Sequence, residues 1–199
     1  VIAAGFRIVC LALVLVASPA SSETIKNAAY RFTLNKPDGW HDMSGPGFAE
    51  AAKPVASETP AQIRQVAKGL VVAFSKLKEP TDELNSTFTI FAVDVGAAAR
   101  NVQPAQVLRG SLDYVMKTGA KAVVLSPPRD TKLGGLPAAH TRVAFEGTYA
   151  GRPYRCESDM WTVVRGNSIL IIQIQAKRDD KKAGMDKLRA AVKSIRFER

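Results

Sequence analysis

Cysteine and histidine are scarce in this 199-residue chain, with two of each. Cys10, Cys156, His41 and His140 lie far apart in sequence, whereas a zinc site draws three or four Cys, His or carboxylate ligands from close spacings. Neither C-x-x-C nor H-E-x-x-H occurs. The segment Gly147-Thr148-Tyr149-Ala150-Gly151 lacks the serine of a nucleophile elbow. No glycine loop leads into a lysine-bearing helix start, which phosphate cradling requires. These absences point away from metal, cofactor and hydrolase chemistry. The expectation is a non-enzymatic protein with no cofactor and no metal.

Long hydrophobic runs are also lacking. Ile8–Ala17, "IVCLALVLVA", is apolar over about ten residues, while a membrane span needs roughly 20. Arg7 precedes the run, and the small residues of "SPASSE" follow it. That three-part pattern predicts a secretory signal peptide over residues 1–20, cleaved after Ala20. A short leader, 21–29, and a single domain, 30–199, follow, with no transmembrane segment in the mature chain. Cys10 falls too early in the run to serve as a lipid anchor. Cleavage removes it and leaves Cys156 as a lone cysteine without an internal disulfide partner. The expected location is outside the cytoplasm, periplasmic or extracellular.

Acidic residues number 18 against 28 lysines and arginines, a net charge of +10. Such a surface attracts acidic partners, meaning an envelope protein or an anionic surface. Nucleic acid would suit the charge, but an exported protein rarely meets it and no nucleic-acid motif is present.

Periodicity lays out the domain. Tyr30, Phe32 and Leu34 alternate with polar neighbours as one strand, stopped at Pro37-Asp38-Gly39 before Trp40. A loose Ala/Gly/Pro/Ser stretch follows. Thr59-Pro60-Ala61-Gln62 has the pattern of a helix start, and Gly69 of its stop. Strands are predicted at Leu70–Leu77 and Thr87–Val95. A helix starts near Pro104, with Leu108, Leu112 and Val115 as its stripe, and closes at Gly119. "KAVVLS" is a strand ended by Pro127-Pro128. A three-strand meander follows, turning at 150–153 and 165–167. Its third strand, "SILIIQIQA", is apolar on both faces at its start and is expected to be central. Met185, Leu188, Val192 and Ile195 form the buried stripe of a last helix.

In this order, "YRFTLNKPDGW", "GGLPAAHTRVAFEG" and "RGNSILIIQIQA", with the helix ending "KSIRF", resemble the PsbP-like superfamily over about Ala28–Phe197. This group includes the photosystem II extrinsic subunit, the nuclear Ran-binding nucleotide-release factor and periplasmic DcrB-type proteins. The residue pattern predicts an α+β fold. The resemblance implies an α-β-α sandwich, a twisted antiparallel sheet with helices packed on both faces. It also implies non-catalytic binding work, with no binding residue to carry over.

Candidate partner-binding residues come from the chain itself: Trp40, Lys182, Lys187, Arg189, Lys193 and Arg196. Trp40 either packs on the sheet or stacks a ligand. The cations either dock an acidic partner or only solvate the helix. The alternative function is a carrier of a small apolar ligand held between sheet and helices. Cys156 is read as a buried thiol, since Tyr154 and Met160 share its face; pairing with His140 as nucleophile and base is the competing reading. Arg155, Glu157 and Asp159 are read as a solvated face with cross-strand ion pairs, with a binding role as the alternative. The export pattern has a direct consequence. Mass spectrometry of the secreted protein should find a chain starting at or near Ser21, and recovery of an uncleaved cytoplasmic chain would refute it.

Overall fold

Strand periodicity governs most of the chain, and the computed structural model follows it through residues 22–43, 68–78, 84–117, 121–149, 152–178 and 184–198. The signal-peptide segment 1–20, most of the helix expected at 59–69, and Lys182 lie outside the described residues.

Seven strands form one antiparallel sheet. In chain order they are β3 (His41–Asp42), β4 (Leu70–Ser75), β5 (Thr87–Asp94), β6 (Lys121–Leu133), β7 (Leu136–Tyr149), β8 (Arg152–Arg165) and β9 (Ser168–Lys177). In space the order is β3-β4-β5-β9-β8-β7-β6. The apolar strand β9 therefore has a neighbour on each side, as its composition predicts. Every second residue of it, Leu170, Ile172, Ile174 and Ala176, is buried in the main core. A second, small sheet joins β1 (Thr24–Asn27), β2 (Phe32–Asn35) and β10 (Arg196–Phe197).

Two α-helices are described: α1 (Pro104–Lys117) and α2 (Met185–Ser194). The α2 stripe behaves as its spacing requires, with Leu188, Val192 and the following Ile195 fully buried. They meet Phe32 and Leu34 of β2 and the buried row of β9. Leu108 and Leu112 of α1 form a separate cluster with Ala139, Val143 and Met160. Ala138 and Ala139, adjacent on β7, go to different clusters because successive strand side chains point to opposite faces.

This architecture corrects the expected α-β-α sandwich with helices on both faces. The protein is strand-dominated, built on large antiparallel pairings. The layer over the main core is mixed, since β2 and β10 share it with α2. The described part of α1 packs mainly on β6, β7 and β8. Two segments add strand beyond what local pattern predicts. Thr24–Asn27, expected as leader, pairs with β2 from Thr24↔Asn35 to Asn27↔Phe32. β6 does not stop at Pro127-Pro128 but continues to Leu133, with register shifts on either side of Ser126 absorbing the prolines. An edge strand tolerates proline because its outer N–H groups have no ladder to serve.

The β6–β7 hairpin turns on Gly134-Gly135, both in the left-handed region at φ 54° and 89°. A Cβ at Gly134 would lie 2.7 Å from the Phe197 ring, so the turn tucks against β10. Trp40 is 6% exposed and packs edge-on to Phe74, with ring centroids 6.0 Å apart. Its other neighbour is Gly184, at φ 88° just before α2, where a Cβ would sit 2.9 Å from the indole. The indole is thus packed into the core at the entry to α2.

Cys156 is fully buried, and the loss of hydration pushes its thiol up to about 12, against opposing contributions from Gln175 and Lys177. It lies on the α1 side of β8, opposite Phe145, whereas His140 belongs to the other face. The two do not form a nucleophile–base pair. A thiol reagent at about pH 9, where an ordinary thiol is largely ionised, should label native protein slowly and urea-unfolded protein fast. Rapid native labelling would show that β8 has been placed in the wrong register.

Candidate functional site

The β7–β8 hairpin register, 142↔159 and 146↔155, stacks a ladder of cross-strand rows on the α2 side of the sheet. The first row, Ala138 and Val163, belongs to the apolar core. Next come His140 and Trp161, with Arg129 of β6 opposite His140. Then come Arg142 and Asp159, then Ala144 and Glu157, and finally Glu146 and Arg155. The face turns from apolar to charged within about two residues of each strand.

Asp159 is the centre. Its side chain is 3% exposed, and one carboxylate oxygen accepts from Arg142 Nε at 3.0 Å. The other accepts from Arg189 Nε of α2, also at 3.0 Å. Arg142 reaches on to Glu157 through Nη2 at 3.0 Å, and Arg178 meets the second oxygen of Glu157 at 3.4 Å. The chain of ion pairs links β7, β8, the end of β9 and α2. A carboxylate this deep is tolerable only when its oxygens are matched by charged donors.

His140 stacks on Trp161, with ring centroids 4.5 Å apart, and its Nε2 lies 3.9 Å from Asp159. Burial lowers its pKa first. Asp159 opposes that shift, and Arg129, Arg142 and Arg189 add to it. The imidazole is therefore neutral at neutral pH. His140 Nε2 and Arg189 Nη2 are buried without a hydrogen-bond partner among the described residues.

The seam ends in a cleft of about 250 Å³. Val123 and Ala144, opposite each other in register, lie in it, with Lys121, Arg155 and Arg178 around them. Arg155 pairs with Glu146 at 2.9 Å. The cleft is open to solvent and is lined by the ends of β6, β7 and β8, not enclosed between sheet and helices.

The candidate residues read from sequence divide accordingly. Trp40 is core. Arg189 is turned to Asp159. Arg196 donates through Nη1 to the carbonyls of Lys193 and Ile195, closing the end of α2. Lys187 and Lys193 are exposed, and neither has an ion-pair partner among the described residues. Asp159, expected on a solvated face, is instead buried between Arg142 and Arg189. The period-2 alternation of Glu157 and Asp159 was visible. Nothing in it says that a helix will cover one end of that face.

With this geometry in view, the fold is a PsbP-like one. The solution structure of cyanobacterial PsbP (CyanoP) from Synechocystis sp. PCC 6803 is similar at a TM-score of 0.54 and 10% identity, over 92% of this chain and 96% of that one. A protein from Bacteroides thetaiotaomicron VPI-5482 is similar at a TM-score of 0.51 and 12% identity; it covers 89% of this chain, which spans about half of that protein (49%). No family model and no curated protein matches the sequence.

Asp159→Ala should cost about 3 kcal/mol in urea denaturation, the low end for a broken buried pair, because the freed side chains of Arg142 and Arg189 are partly exposed, at 36% and 32%. Asp159→Asn, which keeps acceptor capacity, should cost less. The same titration on wild type should show stability lost as pH falls below about 6.5. There the unfolded histidine takes up a proton that the depressed His140 refuses, so the unfolded state gains. His140→Gln should flatten that part of the profile. An unchanged midpoint in Asp159→Ala would mean that the seam does not hold α2.

Proposed function

We propose that this protein is an exported, non-catalytic accessory module that docks an acidic face of another cell-envelope protein through α2. One observation carries the reading. The Arg189–Asp159 pair fixes the rotation of α2, so Lys187 and Lys193 project to solvent without acidic partners among the described residues. Arg196 adds an exposed cation beyond the helix end. Asp186 is the one acidic residue of α2, so the face keeps a cationic excess, which attracts an anionic surface over about 8 Å at physiological salt. It also speeds encounter more than it deepens affinity. Export rests on the signal-peptide pattern of the sequence, and the PsbP-like fold is in keeping with a binding role. The carrier alternative would need an enclosed apolar cavity between sheet and helices, and the open cleft on the strand ends does not favour it.

The test is a double reversal, Lys187→Glu with Lys193→Glu, that leaves Arg189 in place because its loss would strand Asp159. Wild type should be retained on immobilised polyglutamate and released by salt. The double variant should elute at clearly lower salt with an unchanged urea midpoint. Equal retention of the two would refute docking through α2. Retention on anionic vesicles but not on polyglutamate would make the partner a lipid surface.

A further inference from the structure

We propose that the free edge of β6 at Lys121–Leu125 takes up an extended acidic segment of a partner protein as an added strand, seating an apolar side chain in the adjoining cleft. This is a second surface, independent of α2, and it recognises main chain as well as charge.

Among the described residues β6 is the outermost strand of the large sheet, paired only with β7. Edge strands usually carry protection against added strands, such as prolines, bulges and charges. In β6 the prolines and bulges are confined to the middle, and Lys121 is the one charge before them. Pro127 and Pro128 have no N–H to offer, and the register shifts flank Ser126. Lys121–Val124 have neither device, and Leu125 is the residue that the first register shift leaves out of the ladder. There three consecutive apolar residues stand in water, with Val123 61%, Val124 38% and Leu125 40% exposed. A run this apolar on an unprotected edge is a docking signature. The cleft lies against the same five residues, since Lys121 and Val123 line it. A five-residue strand is about 16 Å long, so a short segment suffices.

Charge selects the occupant. Glu146 is engaged by Arg155, and Glu157 by Arg178 and Arg142, while Lys121 has no ion-pair partner among the described residues. An incoming carboxylate meets Lys121 together with the partly exposed guanidinium groups of Arg155 and Arg178. An incoming lysine meets repulsion. A second copy of the chain fits poorly. Antiparallel pairing about Leu125 would oppose Lys121 to Arg129, and pairing along the whole strand would put Pro127 and Pro128, which lack an N–H, at the centre of the ladder. Like charges directly opposite destabilise a strand pair.

The test uses three labelled six-residue peptides on the full protein: alternating Glu and Val, alternating Lys and Val, and the Glu/Val peptide with every second amide N-methylated. Fluorescence anisotropy should show the Glu/Val peptide binding, and at least tenfold weaker binding for each of the other two. Val123→Asp should weaken the Glu/Val peptide at least tenfold, and amide shifts in wild type should centre on Lys121–Leu125. Equal binding of the N-methylated peptide, or shifts elsewhere, would overturn strand addition. A concentration-dependent dimer abolished by Val123→Asp would overturn it in favour of a second copy. The Lys187→Glu, Lys193→Glu variant should bind the peptide as wild type does, so the α2 reading and this one can fail separately.

Discussion

Asp159 is the residue on which the arrangement of this protein turns. A carboxylate buried to 3% exposure must be answered by positive donors, and those donors come from two elements, β7 and α2. Arg142 satisfies one oxygen from the neighbouring strand. Arg189 satisfies the other from the helix, which fixes the helix in rotation as well as position. Hydrophobic burial of Leu188, Val192 and Ile195 would hold α2 down but would tolerate small rolls about its axis. The directional pair at its flank removes that freedom.

The same pair sorts the cations. Arg142, Arg178 and Arg189 are drawn into the seam, where Glu157 and Asp159 balance much of their charge. Other cations stand on the outward face of α2 and at the rim of the cleft. The protein thus offers two kinds of surface. One, on α2, is purely electrostatic and set on a fixed helix. The other, at the start of β6, combines charge with exposed apolar side chains and a backbone edge that pairs with no further strand among the described residues. A surface that steers and a surface that grips main chain would give a partner both fast encounter and a defined register.

Much of the fold was legible because strand and helix periods are local. β4, β5, α1 and the α2 stripe lie close to where alternation and spacing put them, and β9 is central as its two-sided apolar start required. Pro127-Pro128 misled because proline ends a central strand but not an outermost one, and edge position is a property of the sheet. The small sheet escaped for a related reason. Thr24–Asn27 and Arg196–Phe197 are too short to show a period, and they become strands only because β2 lies between them.

By itself, the sequence determined which side chains are apolar and at what spacing, and therefore where strands and helices run and which stripe each one buries. It also set the excess of positive charge and the shortage of metal ligands and nucleophile motifs. Only the tertiary structure decided where the charges act. Arg142 and Arg189 stand 47 positions apart in the chain yet share one carboxylate. Arg155, Glu157 and Asp159 follow one alternation, yet the first is solvated and the last is buried, because α2 reaches one end of that face and not the other. Alternation specifies a face. What covers that face depends on long-range packing, and no local period encodes it.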